Sequence, residues 1–132
     1  MTRILLDTNL LICEPDFGLL PGGTHELFTA ALCYAELQEG EFSRNPAIRA
    51  RAQIQYLRAV ETYGEGLPFD HRAAALYRVV CRTSHDKGRQ IGRSRRVDLM
   101  VAAVALAHDC ALATRNLADF AWLDDILPVV AL

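Results

Sequence analysis

The chain has 132 residues, of which 52% are hydrophobic and 23% are charged. This composition supplies a packed core and is too apolar for a disordered chain, so we expect one globular domain over residues 1–132. The formal net charge of −2 predicts no overall attraction to nucleic acid. Charges interrupt every apolar run before it reaches the roughly 18 residues that a membrane helix needs.

The N-terminus and the cysteines indicate the compartment. MTRILLDTN carries a short apolar run that meets an aspartate at once, without the apolar stretch and cleavage site of a signal peptide. The chain has four cysteines, without a C-x-x-C pair and with apolar neighbours: Cys13, Cys33, Cys81 and Cys110. Free, buried thiols are typical of a reducing compartment, so we expect a cytoplasmic protein.

The first part of the sequence predicts a strand, a loop, a second strand and a helix. The apolar run at 4–6 predicts a buried strand, and Asp7 follows it directly. The prolines and glycines of EPDFGLLPGG, residues 14–23, predict a loop. ELFTAAL, residues 26–32, predicts a second strand, and CYAELQEGEF, residues 33–42, predicts a helix with a glycine near its end.

The middle of the chain predicts two helices joined by a short extended segment. Pro46 marks the start of a helix that runs to Tyr63, because apolar residues recur between them at helical spacing. LPF, residues 67–69, predicts a short strand. Asp70 is a candidate N-cap for the helix over residues 71–85.

The last part predicts a buried helix and two further strands. VDLMVAAVALAHDC, residues 97–110, is apolar almost all round and follows a glycine-bracketed loop at 88–92. ALAT, residues 111–114, and ILPVVAL, residues 126–132, predict strands, with a turn or short helix at 115–120. Strands that alternate with helices favour an α/β sandwich with a mainly parallel sheet.

Acidic and amide side chains recur where the predicted strands end. They are Asp7, Glu36, Asp98, Asn116 and Asp119. Because the carboxyl ends of parallel strands share one edge, we expect these side chains to meet there. Taken singly, Asp7 and Asp98 also fit helix-end electrostatics. Glu36 alone also fits a surface position, and Asp119 alone fits a helix cap.

Several carboxylates at one edge have a chemical consequence. They repel one another and raise one another's pKa unless a divalent cation neutralises them. Oxygen ligands of this kind suit Mg²⁺ or Mn²⁺. A hard cation that keeps some coordination positions open for water can catalyse the hydrolysis of a phosphodiester. The sequence therefore predicts metal-assisted phosphodiester hydrolysis.

Four segments in this order and spacing resemble the PIN-domain family. They are LLDTN at 5–9, AEL at 35–37, LPFD at 67–70 and the stretch from VDLM to ADF at 97–120. More narrowly, the chain resembles a VapC-type toxin ribonuclease of a type II toxin–antitoxin system. The resemblance spans nearly the whole chain and implies a three-layer α/β/α fold and a metal-dependent endoribonuclease.

The resemblance also implies roles for the acids. Asp7, Glu36 and Asp98 match the family's acidic metal site. Asp7 and Asp98 would bind the metal directly or through water, and Glu36 would complete the site and orient the attacking water. Members often carry a further acid where this chain has Asn116, and Asp119 is the other candidate for that position. The number of metals, one or two, stays open with it.

Four polar residues are candidates for a supporting layer around the metal: Thr8, Asn9, Thr114 and Asn116. Hydroxyl groups at Thr8 and Thr114 would hold carboxylates or water through hydrogen bonds. The alternative for both threonines is capping at a strand end. Asn9 would either bond near the acids or cap the helix.

A basic stretch precedes the predicted buried helix. RTSHDKGRQIGRSRR, residues 82–96, contains one acid. Four of its arginines lie closest to the acidic helix start and are candidate RNA-phosphate contacts: Arg89, Arg93, Arg95 and Arg96. The alternative is a solvated, mobile loop.

The family resemblance implies partners as well as a substrate. A small, DNA-binding antitoxin would hold the ribonuclease silent, and members usually form homodimers. An arginine of the antitoxin satisfies two carboxylates at once and would displace the metal. Candidate walls for the antitoxin are the loop at 14–23 and the helix at 48–63.

Two other functions compete with this one. The first is a PIN-type nuclease that processes other nucleic acids, such as ribosomal RNA intermediates. The second is a non-catalytic, Mg²⁺-binding α/β signalling module of the receiver type, which needs a lysine late in the chain. The chain has one lysine, Lys87 in the basic stretch, which counts against a receiver.

Overall fold

The computed structural model describes residues 1–13, 15–20 and 22–132, and Glu14 and Pro21 lie outside the described residues. The loop predicted at 14–23 is therefore described only in part. Within it, Phe17–Leu19 forms one turn of 3₁₀ helix. Asp16 caps this turn, because its side chain accepts a hydrogen bond of 2.9 Å from the Gly18 N–H.

Four strands form the sheet of the described chain: β1 Thr2–Leu6, β2 His25–Thr29, β3 Ala111–Thr114 and β4 Val129–Ala131. Their order is β2-β1-β3-β4, and every neighbouring pair is parallel. In the register, Leu5 on β1 lies between Phe28 on β2 and Leu112 on β3. The parallel sheet predicted from the alternation of elements is confirmed.

Six α-helices flank this sheet in the described chain: α1 Thr8–Ile12, α2 Ala31–Glu39, α3 Pro46–Tyr63, α4 His71–Asp86, α5 Arg96–Ala107 and α6 Leu117–Phe120. Short 3₁₀ turns lie at Gly40–Phe42, Arg93–Arg95 and Ala121–Leu123. Helix α5 is almost fully buried, as its apolar sequence predicts, and contacts α2, α4 and β3. The whole is an α/β/α sandwich.

Local chemistry sets the helix ends. Asn45 precedes α3 and accepts a hydrogen bond of 2.9 Å from the Ala47 N–H, and Pro46 occupies the first helical position. The predicted cap at Asp70 is confirmed, because its side chain accepts a 3.0 Å bond from the Ala73 N–H. These caps satisfy N–H groups that have no partner inside the helix.

The strand predictions at 26–32, 67–69 and 126–132 are wrong in extent, and the last of these strands spans only Val129–Ala131. The second strand, predicted to reach residue 32, ends at Thr29, because the Ala30 carbonyl already accepts the first N–H groups of α2. The predicted strand at 67–69 reduces to one bridge between Leu67 and Ala30. Pro68 has no N–H to donate, so the pairing stops after one residue.

The cysteines confirm one expectation and correct another. All four thiols are free. Cys33 and Cys110 are buried and Cys81 is half-buried, but Cys13 is exposed because it lies at the outer end of α1. Within the described residues, no helix has the length and apolar character to cross a membrane.

Candidate active site

The first aspartate lies where two neighbouring strands end. Its N–H donates to the Ala113 carbonyl at 2.9 Å, which extends the pairing of β1 with β3 by one residue. Asp7 is also the N-cap of α1, because its Oδ1 accepts a 2.8 Å bond from the Thr8 N–H. The capping role and the site role proposed for Asp7 are thus compatible in one residue.

A buried threonine holds the other oxygen of this aspartate. Thr114, at the end of β3, is fully buried and donates from Oγ1 to Asp7 Oδ2 at 3.1 Å. The same hydroxyl accepts a 3.0 Å bond from the Asn116 N–H. Only 4% of Asp7 is exposed, so these two bonds and its N-cap bond fix its carboxylate inside the fold.

The second acid is joined to the first through a hydroxyl. Thr8 donates from Oγ1 to Glu36 Oε1 at 2.7 Å. Glu36 lies on α2 and is half-buried, so the alternative of a plain surface position does not hold. Thr8 therefore holds Asp7 through its backbone and Glu36 through its side chain.

The predicted acids share one cavity of about 230 Å³. Its lining is mainly polar: Asp7, Thr8, Asn9, Ile12, Glu36, Glu39, Asp98, Asn116, Asp119 and Phe120. The structure thus brings together every predicted acid and both asparagines, with Thr114 behind them. Glu39 was not predicted to line the site, although its position one helical turn after Glu36 is a usable signal.

The carboxylates of this cavity raise one another's pKa. Burial, and then the charges of Asp7, Glu36 and Asp119, raise the pKa of Asp98 to about 6, against the opposing charge of Arg95. Burial is also the main reason why the pKa values of Asp7 and Glu36 are raised. The site is therefore a concentration of negative charge that favours a cation.

Both candidates for the fourth acidic position face this site. Asn116 and Asp119 line the cavity. The charge of Asp119 raises the pKa of Asp7 as well as that of Asp98, so its carboxylate lies within electrostatic reach of both. Asp119 adds a negative charge to the cavity lining, and Asn116 adds a neutral amide.

The donor set fits a hard divalent ion that keeps part of its water. No group of three or more His, Cys, Asp or Glu side chains in the described chain forms a ready metal cage. Mg²⁺ does not require one, because it commonly binds through one or two carboxylates and retains several waters. The available ligands are all oxygens, as such an ion prefers.

The four arginines predicted to contact RNA are placed differently from one another. Arg93 and Arg96 are exposed, and Arg89 is half-buried. Arg95 turns inward, since its Nη1 donates to the Gln90 carbonyl at 2.8 Å. Nothing in the local sequence distinguishes these arginines from one another.

The basic stretch is tied to the body of the fold at several points. Ser84 donates from Oγ to the Arg89 carbonyl at 2.9 Å, and the Arg89 N–H donates to the Ser84 carbonyl at 2.9 Å. Lys87 forms an ion pair of 2.8 Å with Asp125. These contacts favour a positioned segment over the alternative of a mobile loop.

One relative shows the family. The chain is 32% identical over 139 aligned residues to VapC ribonuclease Y4jK of Sinorhizobium fredii (strain NBRC 101917 / NGR234), covering 95% of this chain and 96% of the relative. No protein-family profile matches the chain. The identity and the coverage together show that the similarity extends over the whole domain.

Two solved structures agree with this relative. A member of the VapBC family of toxin–antitoxin systems, VapBC-5 from Mycobacterium tuberculosis, superposes with a TM-score of 0.82 at 28% identity over 100% of both chains. VapBC-1 from nontypeable Haemophilus influenzae superposes with a TM-score of 0.70 at 26% identity over 98% of both chains. Since the fold, the sequence relative and these neighbours coincide, the chain belongs to the VapC family of PIN-domain toxin ribonucleases.

Proposed function

We propose that this protein is an endoribonuclease toxin that hydrolyses RNA phosphodiester bonds with Mg²⁺ or Mn²⁺. The observation that supports this most is the cavity of about 230 Å³ into which four predicted acids converge. Buried like charges are costly, so a site that collects them is built for a cation and not for stability.

We assign the metal to two acids that line the cavity from different elements of the fold. Asp7 and Asp98 would bind it, and Asp119 and Asn116 also line the cavity. The bound ion would lower the pKa of a water molecule and stabilise charge on the phosphate.

The protein's own groups prepare this chemistry. The Thr8 N–H and the Thr114 hydroxyl orient the two oxygens of Asp7 separately. The Thr8 hydroxyl occupies Glu36 Oε1, which leaves Oε2 to accept a hydrogen bond from the attacking water. Asn9 lines the cavity and offers an amide to the substrate.

The substrate strand would cross the exposed part of the basic stretch. Arg93 and Arg96 are exposed and lie within five residues before Asp98 along the chain. We infer that they bind phosphates that flank the scissile one, with Arg89 as a further contact. Their charge compensates for the negative cavity, which would otherwise repel RNA.

We propose a small, DNA-binding antitoxin as the protein partner. The Mycobacterium tuberculosis neighbour is described as part of a toxin–antitoxin system. Here an apolar cavity of about 290 Å³ lies between Ile12 on α1 and Ile48 on α3, and Glu36 lines both it and the acidic cavity. An antitoxin segment that packs there would place an arginine among the carboxylates. We also propose a homodimer in the cytoplasm, in line with the family resemblance.

The first experiment measures cleavage of a mixed RNA pool by the purified protein with Mg²⁺ or Mn²⁺, and again with EDTA. We expect endonucleolytic products that disappear in EDTA. Cleavage confined to structured ribosomal precursors would favour an RNA-processing nuclease. Metal binding without cleavage of any RNA would favour the signalling module and would contradict the proposal.

A second experiment tests the partner. When the operon is expressed as a whole, the antitoxin should co-purify with this protein. In calorimetry, the complex should bind Mn²⁺ more weakly than the free protein. Replacement of the antitoxin's basic residues by alanine should restore cleavage. Equal Mn²⁺ affinity in both forms, or inhibition that survives these replacements, would contradict this inhibitory mechanism.

A further inference from the structure

One arginine of the basic stretch is held by the fold on several sides. The Arg95 Nη1 donates to the Gln90 carbonyl at 2.8 Å and lies 3.4 Å from the hydroxyl of the fully buried Ser84. Its guanidinium carbon lies 5.4 Å from the ring centroid of Trp122. These contacts engage Nη1 and place one face of the guanidinium over the indole, so the group is positioned by the fold.

The tryptophan connects this arginine to the acidic site. Trp122 is 7% exposed, and its Nε1 donates to the Asp119 carbonyl at 2.6 Å. A buried indole N–H normally finds one such partner, and here the partner is the backbone of an acid that lines the cavity. The orientation of the Trp122 ring is therefore coupled to the position of Asp119.

The arginine also sits at the start of the helix that carries another acid. Arg95 immediately precedes α5, and Asp98 lies in the first turn of that helix. The positive charge of Arg95 lowers the pKa of Asp98 and so opposes the effect of burial and of the neighbouring acids. Arg95 therefore contacts the tryptophan that is bonded to Asp119, and it also carries a charge opposite to that of the cavity.

We propose that Arg95 and Trp122 are positioning residues that hold Asp98 and Asp119 at a fixed position relative to each other in the acidic cavity. In this role Arg95 does not bind RNA. The two acids lie on different elements, α5 and α6. The Arg95–Trp122 contact joins the start of one element to the turn that follows the other. This inference rests on the proposed metal-dependent cleavage and adds to it the device that aligns the ligands.

Two conservative variants test the contact without a change in net charge. Arg95→Lys keeps the cation but loses the planar guanidinium that lies over the indole. Trp122→Phe keeps an aromatic face but loses the Nε1 donor. Because neither variant alters the charge near the cavity, the Coulomb attraction of metal or RNA stays constant. Arg82→Lys, at an exposed position on α4, is the matched control.

We expect each of the two variants to bind Mn²⁺ about tenfold more weakly in calorimetry and to lower kcat about tenfold. The KM for RNA and the salt dependence of RNA binding should stay unchanged. The double variant should be no worse than the more severe single variant, because both break one link. Trp122 is the single tryptophan of the chain, so its emission should shift in Arg95→Lys and not in Arg82→Lys.

Each contrary outcome has a distinct meaning. Wild-type Mn²⁺ affinity and kcat in Arg95→Lys would overturn the inference, and so would losses that multiply in the double variant. A raised KM with a flatter salt dependence and an unchanged kcat would show that Arg95 binds RNA. If the wild-type protein fails to cleave RNA while both variants weaken Mn²⁺ binding, the proposed function fails and the positioning role stands.

Discussion

The two ends of the parallel sheet carry cavities of opposite character. The cavity at the amino end has about 420 Å³ and is mostly apolar, with Arg3, Asp109 and Cys110 in its lining. The cavity at the carboxyl end has about 230 Å³ and is lined mainly by acids and amides. The amino-end cavity is the larger of the two, so the proposed site is not marked by its volume.

The balance of charge separates the two ends. At the amino end the Arg3 guanidinium donates to the His108 carbonyl at 3.1 Å, lies 4.4 Å from the Phe28 ring centroid, and is 3.8 Å from Glu26. At the carboxyl end, burial and then the neighbouring acids raise the pKa of Asp98 to about 6, against the opposing charge of Arg95. An excess of negative charge, which costs stability, therefore distinguishes the end that we propose as the active site.

The largest expected effect on RNA cleavage comes from removing one negative charge at the carboxyl end of the sheet, compared with removing one at the amino end. Asp98→Asn should reduce RNA cleavage by about 100-fold or more, because it removes a proposed metal ligand. Asp109→Asn is its matched control, since this exposed residue lines the amino-end cavity and its positive φ suits asparagine. Single-turnover cleavage with Mg²⁺ measures both variants. Comparable losses in the two would end the distinction between the cavities.

The next effect concerns the exposed cations beside the acidic end. Reversal of Arg93 and Arg96 to glutamate should weaken RNA binding at least tenfold. It should also flatten the dependence of log K on log salt by about 1.4, for two single-strand phosphate contacts. Reversal of Arg72 and Arg78 on α4, which are exposed and outside the described cavity lining, controls for net charge. An unchanged salt dependence would remove the basic stretch from the mechanism.

A smaller effect follows from the raised pKa of Asp98, in the metal-free protein. The pKa of Asp98 is 3.8 in the unfolded chain and about 6 in the folded protein. Protonation of Asp98 therefore favours the folded state. This contribution to the free energy of unfolding is complete below pH 3.8 and is lost as pH rises through about 6. Asp98→Asn should therefore stabilise the protein by roughly 1 kcal/mol near pH 8, allowing for partial exposure, and by less near pH 5. Urea unfolding in EDTA measures this, and a gain that is independent of pH would contradict it.

The smallest effect is expected at the amino end. Arg3→Gln should lower the free energy of unfolding by about 1 kcal/mol, because it loses the contact with the Phe28 ring and a charged donor to His108. Cleavage should stay within about twofold of wild type, since Arg3 lies at the opposite end of the sheet from the acids. A large loss of activity at normal stability would show that the amino-end cavity has a functional role.

Much of the fold and the outline of the site follow from local sequence patterns. The strand before Asp7, the capped helix after Asp70 and the apolar helix at 96–107 were predictable, because periodicity and capping act over a few residues. The choice of Asp7 and Asp98 followed from their places at a strand end and a helix start. The functional roles of these acids stay predictions until the variants are measured.

Other features were decided only by the tertiary structure. Whether Asp119 faces the cavity, whether Glu39 joins it, and whether Arg95 turns toward Trp122 depend on how separate elements pack. The sequence shows which residues are charged, but it does not distinguish neighbouring arginines in one run. Only in the folded protein does Arg95 contact the buried Trp122 ring. Side-chain direction is set by contacts between residues far apart in the chain, and a local pattern contains no information about those contacts.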